Sequence, residues 1–251
     1  MSIFKPLAPG RWQPSPLAAG PFAGLQGGAV AALLTGEVEA LAEERGWGSA
    51  VAASAWFLRP TPFAELRSEP ALVTAGGRIS IVDNTLFEAG SDQPCATVRV
   101  TFARERAIVI PPLPPEPERP RDPSFHPLRT AAVPHGRPWF MDAMEARVAG
   151  DVTWFRLKHR IIDGAGPLAT VLGPADWTHG LARPLQNVAA DPNPNLTVQL
   201  SRPPCGDWIG IRARTRWLPE RGLGTGRGVL LDTSGEIGGV SMTVVLIPLS
   251  R

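Results

Sequence analysis

Tyrosine is absent from this chain, and nearly all of its 25 basic residues are arginine. That bias matches the base composition of a genome better than any chemistry, and no function is read from it. The two cysteines, Cys95 and Cys205, lie far apart with no CxxC or CxxH neighbourhood. Such usage excludes a disulfide framework and gives no zinc-ligand spacing, so a metal site is not expected and a reducing, cytoplasmic setting is. No stretch reaches the roughly 18 consecutive apolar residues of a membrane span, and MSIFKPLAPGRWQPSPL lacks an uninterrupted apolar run of signal-peptide length. A net charge of +2 over 251 residues leaves no concentrated basic face, which argues against nucleic acid as a partner. Hydrophobic residues at 43% and charged residues at 19% are ordinary for a globular protein able to bury its own core.

Proline, by contrast, is crowded into one place. The stretch IVIPPLPPEPERPRDPSFHPLRTAAVPHGRP, Ile108 to Pro138, cannot donate hydrogen bonds at its many prolines and reads as an extended spacer between an N-terminal unit at 1–107 and a C-terminal unit at 138–251, with the linker at 108–137. Before it, Gly24–Arg45 is rich in Ala, Leu and Glu with glycines at its front, the pattern of a helix whose first half is buried all round. Strands are expected at 52–58, 69–74, 78–87 and 96–103, the last alternating Val98, Val100 and Phe102 with Thr97, Arg99 and Thr101. After the spacer the order returns: strands at 139–148 and 152–162, an Ala/Leu helix at 167–185, then three or four more strands. Two anchors mark the repeat: Arg59-Pro60 superposes on Arg202-Pro203, and Gly77-Arg78 on Gly226-Arg227. A tandem duplication accounts for both. In the second half Ile209, Ile211, Ala213, Thr215 and Trp217 share one strand face, opposite Gly210, Arg212, Arg214 and Arg216.

Gln26-Gly27-Gly28 at a helix start, Phe57-Leu58-Arg59-Pro60, Ser201-Arg202-Pro203-Pro204, Asp207-Trp208, and a closing strand pair with Asp232 and Gly235 at its turn stand in this order along a duplicated chain. Together they resemble the double-hotdog acyl-CoA thioesterase-like family, close to bacterial acyl-CoA thioesterase II. The resemblance implies an α+β fold in which two long helices are wrapped by one continuous antiparallel sheet. It also implies an acyl-CoA substrate, no cofactor beyond the coenzyme A of that substrate, and compatibility with a homo-oligomer.

Thioesterases of this type use a polar trio of Asp, Thr or Ser, and Gln to activate a water, without a covalent nucleophile. Carried over by position, the resemblance places the Asp on Asn195, the Thr near Thr215 and the Gln on Thr243. An amide at 195 orients a water but cannot take its proton at neutral pH. A compensating acid on a central helix would be Glu37 or Asp176, which coincide when Gly27-Gly28 is laid on Gly166-Pro167. Gln26, Gly27 and Gly28 offer helix-start amides to a carbonyl oxygen that gains charge. Arg78 and Arg227 are candidates for the phosphates of coenzyme A.

Of the four histidines, His126 and His135 fall in the spacer, His159 on a strand and His179 at the end of the second helix; none has a Ser or Cys partner in a nucleophile elbow. The expected activity is therefore hydrolysis of an acyl-CoA thioester by an activated water. A degenerate relative that binds the thioester without turnover is the alternative. A hotdog enoyl-CoA hydratase or dehydratase fits less well, because the paired Asp and His it needs are missing from both halves.

Overall fold

A computed structural model of the protein describes residues 2–109, 126–127, 137–182 and 189–249. The first half runs β1 (Phe4–Ala8), β2 (Arg11–Pro14), α1 (Gly27–Arg45), β3 (Ser49–Phe57), β4 (Leu66–Ala75), β5 (Ile79–Glu88) and β6 (Pro94–Ala103). After the short β7 (His126–Pro127) come β8 (Met144–Ala149), β9 (Val152–Leu157), α2 (Pro167–Ala175), β10 (Ala189–Ala190), β11 (Asn195–Leu200), β12 (Ile209–Leu218), β13 (Leu223–Asp232), β14 (Gly235–Val245) and β15 (Ile247–Pro248). Thirteen strands form one sheet in the order β1-β2-β4-β5-β6-β3-β11-β14-β13-β12-β9-β8-β7. The order reads nearly the same from either end, as two copies of one unit joined edge to edge require. The joint is the antiparallel pair β3–β11, with Ala53 opposite Val198 and Trp56 opposite Asn195. Most of the spacer lies outside the described residues, and with it His135, the side chain of His126 and the reading of that segment as few-contact chain. No helix among the described residues is long and apolar enough to cross a membrane.

One hydrophobic core serves both halves. Val30, Leu33 and Leu34 of α1, Leu168, Val171 and Leu172 of α2, and the inward residues Val98, Val100, Leu196 and Val198 of the sheet belong to a single buried cluster. Both helices thus lie on the same face of the sheet, and α1 is buried on nearly all sides, as its Ala/Leu run predicts. It ends where Gly46 turns left-handed at φ 63°. The Arg-Pro anchors have a local task in each half: Arg59 donates to the carbonyls of Gln93 and Pro94 at the start of β6, and Arg202 makes a two-pronged contact with buried Asp232 at the end of β13.

The structure departs from three sequence expectations. The second helix stops at Ala175 rather than 185: Pro174 removes an amide donor, and residues 176–180 close in tighter turns, with Thr178 Oγ1 donating back to the Ala175 carbonyl. Residues 183–185 lie outside the described residues. The segment 139–148 opens as a helical turn, Phe140–Ala143, because the Asp142 carboxylate accepts the Trp139 amide, and only then becomes a strand. Finally β9 ends at Leu157, since residues 160 and 161 give their carbonyls to the amides of Ile3 and Phe4, tying the start of the chain to its second half.

The two helices are bound by more than apolar contact. Glu39 of α1 is buried, and its Oε1 and Oε2 accept the amides of Leu168 (2.9 Å) and Ala169 (3.0 Å) in the first turn of α2. Those amides have no partner inside their own helix and carry the positive end of its dipole. Gly166 makes room, because a Cβ there would sit 2.6 Å from Glu39 Cδ. Burial nevertheless pushes the Glu39 carboxyl up from 4.5 to about 7, outweighing the backbone bonds that favour its ionised form. An acid whose folded pKa exceeds its unfolded one contributes stability that is full below the unfolded value and lost as pH rises through the folded one. With about 1.4 kcal/mol per pKa unit, wild type is expected to lose on the order of 3 kcal/mol more than Glu39→Gln between about pH 4.5 and 8. Urea unfolding of both proteins across that range checks it, and parallel pH curves would refute it.

Candidate active site

The mirror image of the Glu39 contact lies at the start of α1. Asp176, the residue that closes α2, is buried with its carboxylate against the α1 N-terminus. Its Oδ2 accepts the Gly28 amide (2.8 Å) and Gln26 Nε2 (2.7 Å), and its Oδ1 accepts Asn193 Nδ2 (2.7 Å). Gln26 has extended backbone at the N-cap position, which turns its side chain away from its own helix and toward Asp176. Gly28 is a glycine for the reason Gly166 is: a Cβ would meet Asp176 Cβ at 2.6 Å and the Gly173 carbonyl oxygen at 2.9 Å. Burial raises the Asp176 pKa above the usual carboxylate range; the electrostatic influence of His179, the Asn193 and Gln26 side chains and the Gly28 amide oppose the rise without cancelling it. The Gly27 amide has no protein acceptor among the described residues, and the Phe57 ring lies against this position.

Four of the sequence candidates, Gln26, Gly27, Gly28 and Asp176, therefore converge on one place. The others do not join them. Glu37 points to β5, where its Oε2 accepts Asn84 Nδ2 (2.9 Å). Asn195 Oδ1 accepts the Thr243 amide (2.8 Å), and Thr215 Oγ1 accepts Trp217 Nε1 (3.0 Å). The strands of Asn195 and Thr215 are separated by β14 and β13, so these two side chains are not neighbours across adjoining strands as the carried-over trio requires. Thr243 is exposed on the outer sheet face, away from the helices. It lines, with Thr215, Thr225 and Arg227, an open cleft of about 500 Å³. Arg78 lies in the turn before β5, whereas Arg227 stands inside β13, so the two arginines occupy different places in their hairpins. Among the described residues there is no group of three or more His, Cys, Asp or Glu placed to hold a metal ion.

Three participants escaped the sequence reading. Asn193 links the buried acid to β11, since its Nδ2 also lies 3.2 Å from the Asn195 carbonyl oxygen. His179 sits beneath β13, with Nδ1 3.1 Å from Met242 Sδ and Nε2 3.9 Å from the buried Asp191 carboxylate. It fits because β13 presents glycines inward at 224, 226 and 228; a Cβ at Gly226 would touch His179 Cβ at 3.1 Å. Glu39 is the third. The sequence reads Glu39, Glu43, Glu44 and Arg45 as the end of the helix that returns to solvent; the last three are exposed, but Glu39 is buried because the start of α2 packs against it.

The model of the acyl-CoA thioesterase N-terminal domain matches residues 14–103, and that of the C-terminal domain matches residues 109–247. The chain belongs to the acyl-CoA thioesterase family. Solved structures carry the same fold across nearly the full length of this family member. A candidate thioesterase from Novosphingobium aromaticivorans superposes with a TM-score of 0.74 at 16% identity, covering 98% of this chain and 99% of its own. A hot dog fold protein from Alicyclobacillus acidocaldarius gives 0.72 at 16%, covering 96% and 93%. Acyl-CoA thioesterase II TesB2 from Mycobacterium marinum gives 0.64 at 12%, covering 98% and 96%. No curated protein matches the chain.

The tight approach at Gly28 makes a direct test of this packing. Gly28→Ala is expected to force the helices apart and cost roughly 1–3 kcal/mol. Gly77→Ala, with nothing within 4 Å of the added carbon, should cost far less. Equal urea midpoints for the two variants would show that the contact is not tight.

Proposed function

We propose that the protein hydrolyses an acyl-CoA thioester, with Asp176 as the general base and no covalent enzyme intermediate. The observation that carries this reading is a buried carboxylate held by Gln26, the Gly28 amide and Asn193 at the mouth of a helix N-terminus. An aspartate with a raised pKa is a stronger base than one in water, and its burial keeps the proton transfer out of bulk solvent. In the proposed step ionised Asp176 takes a proton from water while the water oxygen bonds to the thioester carbonyl carbon. The carbonyl oxygen becomes an oxyanion facing the Gly27 amide, which has the helix dipole behind it. When the tetrahedral centre collapses, the C–S bond breaks, and the proton returns from Asp176 to the departing sulfur. Gln26 and Asn193 hold the carboxylate in one orientation throughout.

A second reading, binding of the thioester without turnover, rests on the same geometry. Three protein donors already engage Asp176, as they would in a purely structural cap for α1. Asp176→Asn separates the two readings, because its side-chain oxygen can still accept the Gly28 amide and Gln26 Nε2 while the base is lost and only the Asn193 contact is given up. Free-thiol release from a panel of acyl-CoAs is expected to fall about a hundredfold or more in kcat, with KM little changed. Wild-type activity should fall on the acid side at a pH above the ordinary carboxylate range, because the base must be ionised and burial makes that harder. No release above buffer by wild type over the whole panel would leave the binding reading standing.

A further inference from the structure

The outer face of the sheet carries one row of side chains that crosses both halves. From the first half inward it reads Ala71, Asp83, Arg99 and Ser54; from the joint outward it continues Thr197, Ser241, Arg227 and Arg214. Ser54 and Thr197 meet at the joint, where their hydroxyls are 3.3 Å apart. The two arms of the row are thus equivalent positions of the duplicated unit, and their chemistry differs. In the first arm Arg99 is neutralised by Asp83, with both contacts at 2.7 Å. In the second arm an arginine stands where Asp83 would be, and another, Arg214, lies directly opposite it in place of Ala71.

Like charges directly opposite each other in an antiparallel pair are unfavourable. A third arginine, Arg216, follows on the same face of β12, opposite Thr225. All three are exposed, and among the described residues none of them forms an ion pair. They line the cleft of about 500 Å³, whose other end is formed by Leu218 opposite Leu223. Nearby Arg212, by contrast, is paired with Asp151 at 2.8 Å. Three arginines at neighbouring positions of one face, beside the Leu218–Leu223 pair, repel one another and are complementary to a ligand with adjacent phosphates and an apolar part.

We infer that this outer-face cleft binds a diphosphate-bearing ligand through Arg214, Arg216 and Arg227. The coenzyme A portion of the proposed substrate has that chemistry, and so does a free nucleoside diphosphate. The inference itself rests on the charge row and does not need thioester hydrolysis. It extends the expectation for Arg227 to a three-residue site and leaves Arg78 out, since Arg78 is confined to the turn before β5.

The test gives the second arm the solution already present in the first. R227D is expected to raise the thermal midpoint of the unliganded protein by removing the like-charge pair. ADP, which has the diphosphate and no thioester, should raise the midpoint of wild type by several degrees and leave that of R227D unmoved. Should R227D not fold, R214Q serves in its place and is expected to lose most of the ADP response. Inorganic phosphate at the same concentration is the control: a shift with ADP alone supports recognition of the joined diphosphate, and an equal shift with phosphate would overturn it. Free coenzyme A run beside ADP distinguishes the two sources by which gives the larger shift. ADP raising wild type and variant alike, or raising neither, would overturn the inference. Because binding is read without turnover, a failure here is separable from a failure of the hydrolytic reading.

Discussion

The structure depends on where the first-turn amides of two buried helices find their acceptors. A helix start in water is satisfied by solvent, but α1 and α2 begin inside a shared core, where an unpaired amide costs free energy. The chain solves this by exchange. Glu39 of α1 closes the start of α2, and Asp176 at the end of α2 closes the start of α1. Each acid arrives where a glycine leaves space, at Gly166 and at Gly28. The exchange requires the helices to be packed against each other on one face of the sheet, which in turn fixes how the two halves meet along β3 and β11.

The duplicated units have not stayed alike. Glutamate serves one cap and aspartate the other, and only the aspartate is bound by Gln26 and Asn193 as well as by a backbone amide. On the outer face the same divergence produces a neutral ion pair in one arm of the charge row and opposed arginines in the other. A sheet that pairs two copies edge to edge creates equivalent positions for free. Chemistry then accumulates where the equivalence is broken.

Much of this was legible before the structure. The Ala/Leu run of α1, the alternation in β6 and β12 and the Arg-Pro anchors carry local signals of periodicity and turn chemistry, so the fold and its duplication follow from them. Asp176 and Gln26-Gly27-Gly28 were also within reach, because helix starts and helix acids are recognisable by position. What stayed hidden was relational. Glu37 matches Asp176 by counting, yet Glu39 is the residue that faces the partner helix, and the choice is made by the packing angle of two helices rather than by sequence spacing. Asn193 precedes a strand in a Pro-rich turn and gains its meaning only from what lies opposite. The carried-over trio of Asn195, Thr215 and Thr243 fell on strands whose order in the sheet cannot be read from their order in the chain.

The most direct measurement is a double-mutant cycle on stability with Glu39→Gln, Asp176→Asn and the two combined, read by urea unfolding at one pH. If the two carboxylates lock a single interface, breaking either loosens the other, and the combined cost should fall short of the sum by more than about 0.5 kcal/mol. Additive costs would mean that the two caps act independently and would contradict the account.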